Sequence, residues 1–407
     1  MTKLKVLMIG PGEPNALNSG LGIAADQIAK YLATRTELTL IQPYNGDQDC
    51  PDSGVSIRVK NADLSKFDEL NLMSELTKVN VRAGITPYFY PYLEIQNEEE
   101  YTLEEENDVA KKELQSFTSQ VLSASQGIEF DVIYAHDWTA IPAGMKLKEK
   151  TKKPLVVHMH SLDYDRNSQL NQSWIHGIEQ ASFKESDAII SVSDYTADVI
   201  THNYGDVKTS KVHTVYNGNE ALTIPKVKKV FKEKLILFVG RLTGQKGPNV
   251  FLDIAEKVLQ KYPNVRFVLA GQGHLMSGLI LAVASKKMGS KFHFTGHIDR
   301  EKLAELYSIA DVYCMPSVSE PFGLAALEAA QAGVPVVLSR QSGAAEVLPG
   351  ALCSDHWDVD GFARHILAIL KNKKTQKKVV DSNKVALKEL TWDNTAKKIL
   401  EVLNNIK

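Results

Sequence analysis

The feature that most constrains the fold is a pattern that occurs twice: a short apolar run, a glycine-rich loop and a segment with helical spacing. Near the N-terminus, Lys5–Ile9 leads through a loop containing glycine and proline into Ala24–Leu32. The second cycle begins at Leu235–Val239 and passes through another glycine-rich loop into a helical stretch at about Pro248–Lys261. Strand, loop and helix in this order open a doubly wound unit. The sequence therefore predicts an α/β fold with two such units.

The length of the chain agrees with two domains. At 407 residues the chain exceeds the size at which a single hydrophobic core usually keeps growing. A basic segment without clear periodicity, 224–234, separates the two cycles and predicts the linker. We expect a first domain at 1–222, a second at 223–385 and a C-terminal helix within 386–407.

Composition excludes several classes of protein. The net charge of −2 gives no general attraction to nucleic acid or to an anionic membrane. The three cysteines are odd in number and widely spaced, which fits neither a disulfide framework nor a zinc site. The first apolar run is too short for a signal peptide, and no stretch is long enough to span a membrane, so a cytoplasmic location is expected. Lysine runs at 146–153 and 371–378 predict solvated surfaces, with weak peripheral membrane contact as the alternative.

A strand, a tight turn and a helix are predicted around residue 320. Asp311–Met315 has the composition of a buried strand, Pro321 and Gly323 predict a turn, and good helix formers continue from Phe322. The backbone amides of Gly323 and Leu324 would lie at the helix N-terminus, where a phosphate binds readily.

Two carboxylates belong to this stretch. Glu320 lies at the turn, and Glu328 lies farther along the helix among leucines and alanines. A carboxylate in such apolar surroundings is expected to have a partner, although two isolated glutamates are more often solvated helix charges. Carboxylates only accept hydrogen bonds, which suits ligands rich in hydroxyl groups.

Two cations lie on the glycine-rich loop of the second cycle. Arg241 and Lys246 precede the helix that starts near Pro248. A guanidinium offers a planar fork and an ammonium a point charge, and together they suit a diphosphate.

The strand Leu155–His160 ends in a histidine. His160 lies at the carboxyl end, where open α/β sheets place ligands, whereas His158 is more simply a core histidine. Asp137, in His136-Asp137-Trp138, is predicted to cap a helix. Asp163-Tyr164-Asp165 has the spacing of a metal site, but such pairs recur by chance in this chain and no metal is predicted.

The residues described above resemble a known family. Glu320-Pro321-Phe322-Gly323-Leu324, with Glu328 after seven intervening residues, is similar to the E-x7-E motif of retaining glycosyltransferases with the GT-B fold, most of all to glycosyltransferase family 4. Gly240 to Gly247 resembles the G-R-L-x-x-x-K-G loop of that family, and the His136-Asp137-Trp138 run is similar to glycogen-synthase-like enzymes.

The resemblance implies two Rossmann-like domains facing across a cleft, with the donor mainly on the second and the acceptor on the first. It also implies that the C-terminal helix packs back on the first domain. The catalytic residues it implies are His160, Arg241, Lys246 and Glu320. The binding residues it implies are Gly20, Gly22, Gly271, Gln272, Ile298, Phe322, Gly323, Leu324 and Glu328.

The implied activity is metal-independent transfer of a hexose from a UDP-, GDP- or ADP-sugar to a saccharide or other hydroxyl acceptor. Retention would give an α-linked product. The donor is a substrate, and no further cofactor and no nucleic-acid partner are expected. Two alternatives remain: an epimerase or hydrolase of nucleotide sugars, and a binding protein without catalysis. A nicotinamide dehydrogenase is disfavoured, because Asn15 stands where the dinucleotide-binding pattern needs its third glycine or alanine.

Overall fold

The structure is a computed structural model that describes residues 3–10, 20–44, 55–60, 75–82, 103–166, 173–220 and 222–406. The strands are β1 Lys5–Ile9, β2 Glu37–Tyr44, β3 Val55–Lys60, β4 Glu75–Arg82, β5 Val132–His136, β6 Leu155–Met159, β7 Ala188–Ser191, β8 Val212–Thr214, β9 Lys234–Val239, β10 Val265–Ala270, β11 Phe292–Gly296, β12 Val312–Met315, β13 Val336–Ser339 and β14 Leu352–Ser354. The helices are α1 Gly20–Ala33, α2 Leu103–Ala124, α3 Asp137–Thr151, α4 Asp163–Arg166, α5 Trp174–Glu185, α6 Asp194–Asn203, α7 Pro248–Lys261, α8 Met276–Ser285, α9 Arg300–Ile309, α10 Leu324–Gln331, α11 Ala344–Val347, α12 Val359–Lys371, α13 Lys373–Ala386 and α14 Trp392–Asn405.

The chain folds into two compact units. The first comprises Met1–Val192, Thr196–Gly218 and Trp392–Lys407, and the second comprises Ser193–Tyr195 and Asn219–Thr391. Each unit is built around its own sheet, as the two cycles in the sequence predicted.

The first sheet has the strand order β3-β4-β2-β1-β5-β6-β7-β8. Every neighbouring pair is parallel except β3 and β4, which are antiparallel. Strands β5 and β6 are buried along their whole length, which explains why they are apolar without alternation. Their carboxyl ends are adjacent, since His136 pairs in register with His158.

The second sheet has the order β11-β10-β9-β12-β13-β14 and is parallel throughout. Its chain order reverses between β9 and β12, which are direct neighbours although β10 and β11 lie between them in sequence. Ligands in open α/β sheets bind outside the carboxyl ends of the strands at such a reversal. The predicted fold class, two doubly wound α/β domains, is confirmed.

Three local expectations differ from the structure. Gly20 and Gly22, expected in the loop before the first helix, form the first turn of α1, and Gly22 is buried there. Asp137 is not the cap of α3 but its first residue, while His136 occupies the capping position. Helix α10 begins at Leu324 rather than at Phe322, because Gly323 has a φ of 100°, outside the helical region. Asn15 lies outside the described residues.

The C-terminal helix α14 belongs to the first unit. Arg35, which follows α1, forms an ion pair with Asp393 near the start of α14. Thr395 Oγ1 donates to the carbonyl oxygen of Tyr216 at 2.8 Å. These contacts attach the end of the chain to the unit that contains its beginning.

Among the described residues, no helix combines the length and the apolar composition needed to cross a membrane. The two lysine runs lie on helices. Lys148 of α3 forms an ion pair with Asp187 at 2.7 Å. Along α13, Lys373, Lys374, Lys377 and Lys378 are exposed. Peripheral membrane contact by either run stays a prediction.

Candidate functional site

Two loops of the second unit meet at the carboxyl ends of β9 and β12. The loop after β9 carries Lys246, and the segment after β12 carries Glu320. The backbone N–H of Val318 donates to the carbonyl oxygen of Gln245 at 2.8 Å, which joins the two loops. Lys246 Nζ lies 2.5 Å from Glu320 Oε2, and the two side chains are only 15% and 9% exposed. Solvent therefore screens this ion pair little.

The backbone of Glu320 is held by the segment that follows β13. Its N–H donates to the carbonyl oxygen of Gln341 at 2.8 Å, and its own carbonyl oxygen accepts from Gly343 N–H at 3.0 Å. This pairing with the segment after β13 fixes the backbone of Glu320, and the ion pair with Lys246 orients the carboxylate. Because Lys246 occupies Oε2, the carboxylate keeps a second oxygen with which to accept a ligand hydroxyl.

The loop that carries Lys246 depends on a glycine. Gly247 has a φ of 67°, and a Cβ at this position would lie 2.1 Å from the carbonyl oxygen of Pro316. Only glycine allows the loop to approach the end of β12 this closely before α7 begins. Arg241, earlier on the same loop, extends its Nη2 toward Gln245 Oε1 at 3.4 Å. Both predicted cations thus lie on one loop, which the segment before Glu320 supports.

Helix α10 presents its N-terminus after the Glu320 turn. Gly323 is the capping residue and Leu324 the first helical residue. The first amides of a helix have no partner within that helix, so this end suits an anion. The ring of Phe322 is buried. Phe322 therefore anchors the turn in the core.

The carboxylate of Glu328 has a hydrogen-bond partner, as its apolar surroundings predicted. The Tyr307 hydroxyl from α9 lies 3.1 Å from Glu328 Oε2 and 3.2 Å from the carbonyl oxygen of Ala325. Burial raises the pKa of the Glu328 carboxyl, and the positive charge of Arg300 opposes that rise. Arg300 is itself paired with Glu220 at 2.7 Å.

A glycine corner adjoins the Arg241 loop. Gly271, after β10, has a φ of 144°, and a Cβ there would lie 2.0 Å from the carbonyl oxygen of Gly240. The N–H of Leu242 donates to the carbonyl oxygen of Gln272 at 2.7 Å. Gly271 and Gln272 are therefore attached directly to the loop of the cations. Ile298 is half-buried between β11 and α9.

The first unit contains a second group of polar side chains. His136, His158 and His160, which we call the histidine cluster, are 0%, 0% and 8% exposed. His136 Nδ1 lies 3.0 Å from His160 Nε2, and the Tyr134 hydroxyl lies 2.6 Å from His158 Nδ1. Burial lowers the pKa of His160 to about 3 and holds the pKa of His136 well below its ordinary value. The rings are thus neutral at physiological pH.

Asp137 fixes the backbone of His160. Its Oδ1 accepts from the N–H of His160 at 2.6 Å and, at 3.4 Å, from that of Ser161. Its φ of 55° is unusual for a residue with a side chain, and such strain is found mainly at functional sites. Burial raises the pKa of the Asp137 carboxyl to about 7, against the lowering effect of the His160 hydrogen bond.

Several buried polar atoms of this group have no hydrogen-bond partner among the described residues. They include Asp137 Oδ2, His160 Nδ1 and one ring nitrogen of each of the other two histidines. Buried polar groups are nearly always paired in the functional state, so a ligand with hydroxyl groups would fit here.

A metal ion fits the histidine cluster poorly. One nitrogen from each ring lies within 4.8 Å of the others. However, His158 and His160 are stacked, with ring centroids 4.2 Å apart and an angle of 24° between the ring planes. An imidazole binds a metal in its ring plane, so the lone pairs of stacked rings run side by side rather than toward a common ion.

The predicted aspartate pair has structural partners. Asp163 accepts from the backbone N–H and the hydroxyl of Ser173, and Asp165 accepts from the N–H of Leu162. Both carboxylates therefore hold a turn of the backbone.

Sequence reasoning missed Asp137 and His136 as parts of the site. The signals were their position at the end of a predicted strand and the similarity of His136-Asp137-Trp138 to glycogen-synthase-like enzymes. It also missed Glu179, which is fully buried against Arg166 at 3.1 Å and the Tyr204 hydroxyl at 2.5 Å. Burial raises the pKa of Glu179 to about 8, although Arg166 opposes this rise. In the sequence Glu179 is indistinguishable from any surface residue of a helix.

Comparison with known families gives two matches that together cover most of the chain. Residues 220–386 match the model of glycosyl transferases group 1. Residues 110–220 match the model of glycosyltransferase family 4. The junction between the matches falls close to the division between the two units.

Named relatives agree with these matches. An uncharacterised glycosyltransferase of Methanocaldococcus jannaschii is 32% identical over 295 residues, which are 67% of this chain and 75% of the relative. A D-inositol 3-phosphate glycosyltransferase of Corynebacterium urealyticum is 27% identical over 72% of this chain and 76% of its own. A glycogen synthase of Mycobacterium tuberculosis is 30% identical, over 59% of this chain and 60% of the relative.

Solved structures of similar fold extend over the whole chain. A sucrose-phosphate synthase from Thermosynechococcus elongatus has a TM-score of 0.73 at 18% identity and covers 99% of both chains. An Anabaena protein solved with UDP and glucose has a TM-score of 0.66 at 16% identity, with 99% of this chain and 100% of that chain covered. At these identities the likeness establishes the fold alone.

Proposed function

This chain belongs to the family 4 glycosyltransferases with the GT-B fold, and from that premise we propose that it transfers a hexose from a nucleoside-diphosphate sugar to a hydroxyl acceptor. The transfer retains the configuration at the anomeric carbon and gives an α-linked product. The observation that carries the proposal is the convergence of Lys246, Glu320 and the N-terminus of α10 at one edge of the second sheet.

The diphosphate is proposed to bind at this edge. Arg241, Lys246 and the amides of Gly323 and Leu324 stabilise the negative charge that gathers on the leaving diphosphate. Such groups act most strongly when they are already in place and shielded from water. The support in the structure is that Gly247 and the Val318 hydrogen bond hold the loop of the cations in place.

The two carboxylates are assigned to sugar hydroxyls. Glu320 holds hydroxyls of the transferred hexose, and Glu328 holds the ribose of the nucleotide. Neither acts as a covalent nucleophile. The nucleobase is assigned to the corner of Gly271, Gln272 and Ile298, largely through backbone and apolar contacts.

In the first unit, His160 is assigned to the transferred hexose. Its Nδ1, which lacks a partner among the described residues, is the atom proposed to meet a sugar hydroxyl. Gly20 and Gly22, at the first turn of α1, are assigned to the acceptor side.

The bond changes of the transfer are simple. The bond between the anomeric carbon and the diphosphate oxygen breaks, and its electron pair leaves with the diphosphate. The acceptor oxygen bonds to the anomeric carbon on the same face and loses its proton. The leaving phosphate oxygen takes that proton, so no side chain is required as general base, and no metal and no cofactor are assigned to the step.

A panel of ligands tests the proposal. The full chain is heated with UDP, GDP or ADP, since a ligand at about 100 times its Kd stabilises the native state by about 2.7 kcal/mol. UDP is tested first, because a protein of similar fold was solved with UDP and glucose. The sugar of the selected nucleotide is then offered with hydroxyl acceptors, and NMR of the anomeric proton reports the configuration of the product.

The alternatives give different outcomes. A change of the donor sugar without any acceptor would indicate an epimerase, and release of free sugar would indicate a hydrolase. Binding without turnover across the acceptor panel would favour a binding protein. A β-linked product would contradict retention.

Glu328→Gln should weaken binding of the selected nucleoside diphosphate by roughly 10- to 100-fold, because a neutral amide replaces a charged hydrogen-bond acceptor. KM for the donor should rise more than kcat falls. The check is calorimetric titration of the diphosphate and of its 2′,3′-dideoxy analogue. The wild type should discriminate between the two, whereas the variant should not.

Glu305→Gln is the matched control, since Glu305 is an exposed glutamate on α9. The ribose assignment would be contradicted if Glu328→Gln still bound the diphosphate more tightly than its dideoxy analogue. It would also be contradicted if Glu305→Gln no longer did so.

A further inference from the structure

The hydrogen bond between His136 and His160 joins two neutral rings. It links His136 Nδ1 and His160 Nε2 across 3.0 Å inside the core of the first unit. Because a neutral imidazole carries a single N–H, only one of these two nitrogens holds the shared proton. Which ring donates decides what the opposite nitrogen of His160 offers to a ligand.

Two arrangements are possible. If His136 donates from Nδ1, then His160 accepts at Nε2 and carries its own proton on Nδ1. If His160 donates from Nε2, its Nδ1 is a bare lone pair and the proton of His136 moves to Nε2. Each arrangement leaves one N–H and one lone pair without a protein partner among the described residues, but at opposite rings.

The position of the ligand favours one of the two arrangements. His136 is 0% exposed, so an N–H at its Nε2 would have neither protein nor solvent as acceptor. The Nδ1 of His160 is shielded from solvent as well, but His160 is the ring assigned to a ligand, which could reach this nitrogen as an acceptor. Buried N–H groups without any acceptor are rarer in proteins than buried acceptors without a donor. The N–H without a protein partner is therefore better placed on His160, where a ligand oxygen can accept it.

The third histidine does not compete for this proton. Tyr134 lies with its hydroxyl 2.6 Å from His158 Nδ1, so His158 is engaged through a separate bond. Asp137 already fixes the backbone of His160 through the 2.6 Å bond to its N–H. The ring of His160 needs a separate partner to hold it, and His136 is hydrogen-bonded to that ring.

We propose that His136 is a positioning residue that donates its Nδ1–H to His160 Nε2 and so holds His160 as the Nδ1–H tautomer, which presents a neutral N–H donor to an oxygen of the transferred sugar. The ligand named here rests on the proposed function, whereas the tautomer is a property of the free protein. His136 and Asp137, adjacent in the chain, then fix the ring and the backbone of the same histidine.

The direct test is the ¹⁵N NMR spectrum of the full-length protein labelled at histidine, with His160 assigned by means of a His160→Gln sample. Long-range couplings distinguish a protonated from a bare ring nitrogen. We expect a protonated Nδ1 and a bare Nε2 in His160 of the ligand-free wild type. A protonated Nε2 would overturn the proposal. This readout needs no activity, so it stands even if every nucleotide sugar fails as a donor.

Three variants test the positioning role with the donor sugar identified by the panel. His136→Leu removes the donor, and kcat should fall roughly 10- to 100-fold with little change in the KM of the donor. His136→Asn keeps an N–H donor at the position of Nδ1 and should restore most of that loss. Tyr134→Phe removes the neighbouring buried hydrogen bond instead and should leave kcat within about threefold of wild type.

Melting temperatures separate positioning from folding. His136→Leu and Tyr134→Phe each delete one buried hydrogen bond, so each should lower the melting temperature by a similar amount, about 2 to 8 °C. Equal falls in kcat for these two variants, or a His136→Asn protein no more active than His136→Leu, would show a merely structural role and overturn the proposal.

Discussion

Lys246→Met is expected to lower kcat by roughly 10²- to 10³-fold, which is the usual loss when one preorganised group that stabilises transition-state charge is removed. Lys246 Nζ lies 2.5 Å from Glu320 Oε2 in a largely buried ion pair, so solvent screens the lysine charge little. In the transition state the leaving diphosphate carries more charge than in the bound donor. Loss of the cation should therefore lower kcat more than it raises the KM of the donor. Steady-state kinetics with the donor sugar selected by the panel measure both.

The loss of Lys246 also leaves Glu320 without its cation. Burial of an unpaired carboxylate would destabilise the second unit, and a fall in activity could then reflect unfolding. The double variant Lys246→Met/Glu320→Gln removes this charge and should recover stability without recovering kcat. Lys257→Met is the matched control, because Lys257 is an exposed lysine whose ion pair with Asp360 lies on the outer surface of α7. If the kcat of Lys246→Met equalled that of Lys257→Met, the assignment of Lys246 to the diphosphate would be wrong.

Gly247→Ala should have the largest effect on stability of the substitutions considered, on the order of 3 kcal/mol or more. The φ of 67° at Gly247 is unfavourable for alanine, and the added Cβ would lie 2.1 Å from the carbonyl oxygen of Pro316. The backbone at Gly247 and the backbone at Pro316 would have to move apart. The displaced segment carries Lys246, so affinity for the diphosphate should fall with stability. Thermal unfolding and calorimetric titration check the two effects.

Gly244→Ala is the matched control for this substitution. Gly244 lies on the same loop, and a Cβ at that position would meet no atom within 4 Å. Its melting temperature should stay within a degree or two of wild type. If Gly247→Ala were as stable as Gly244→Ala, the close approach of this loop to β12 would not exist in solution.

Much of the architecture was predictable because its causes are local. Buried strands of parallel sheets are apolar on both faces, so β1, β5, β6 and β9 appear as short runs of mostly apolar residues. Helix and strand periodicities, the order of the elements and the glycines before α7 and α10 are also properties of neighbouring residues. The chemical types of the site, two cations on one loop and two acids on one turn and helix, could be identified for the same reason.

The loop boundaries were less predictable. Good helix formers surround Phe322, yet the positive φ of Gly323 delays the start of α10. Asp137 has the composition of a capping residue, yet it takes a strained conformation because its carboxylate is bonded to the backbone of His160. At Asp137 a contact made by the folded chain overrides the local preference, whereas at Gly323 the conformational freedom of glycine ends the turn.

By itself, the sequence determined that this protein forms two doubly wound units and which residue types stand at the carboxyl ends of their strands, because backbone conformation and periodicity depend on short stretches of chain. Only the tertiary structure decided which of those residues meet. Lys246 reaches Glu320 because β9 and β12 are neighbours in the sheet, and His136 reaches His160 because β5 lies beside β6. Strands of similar composition can pair in many orders, and the order is selected by packing of the whole domain, which no local stretch contains.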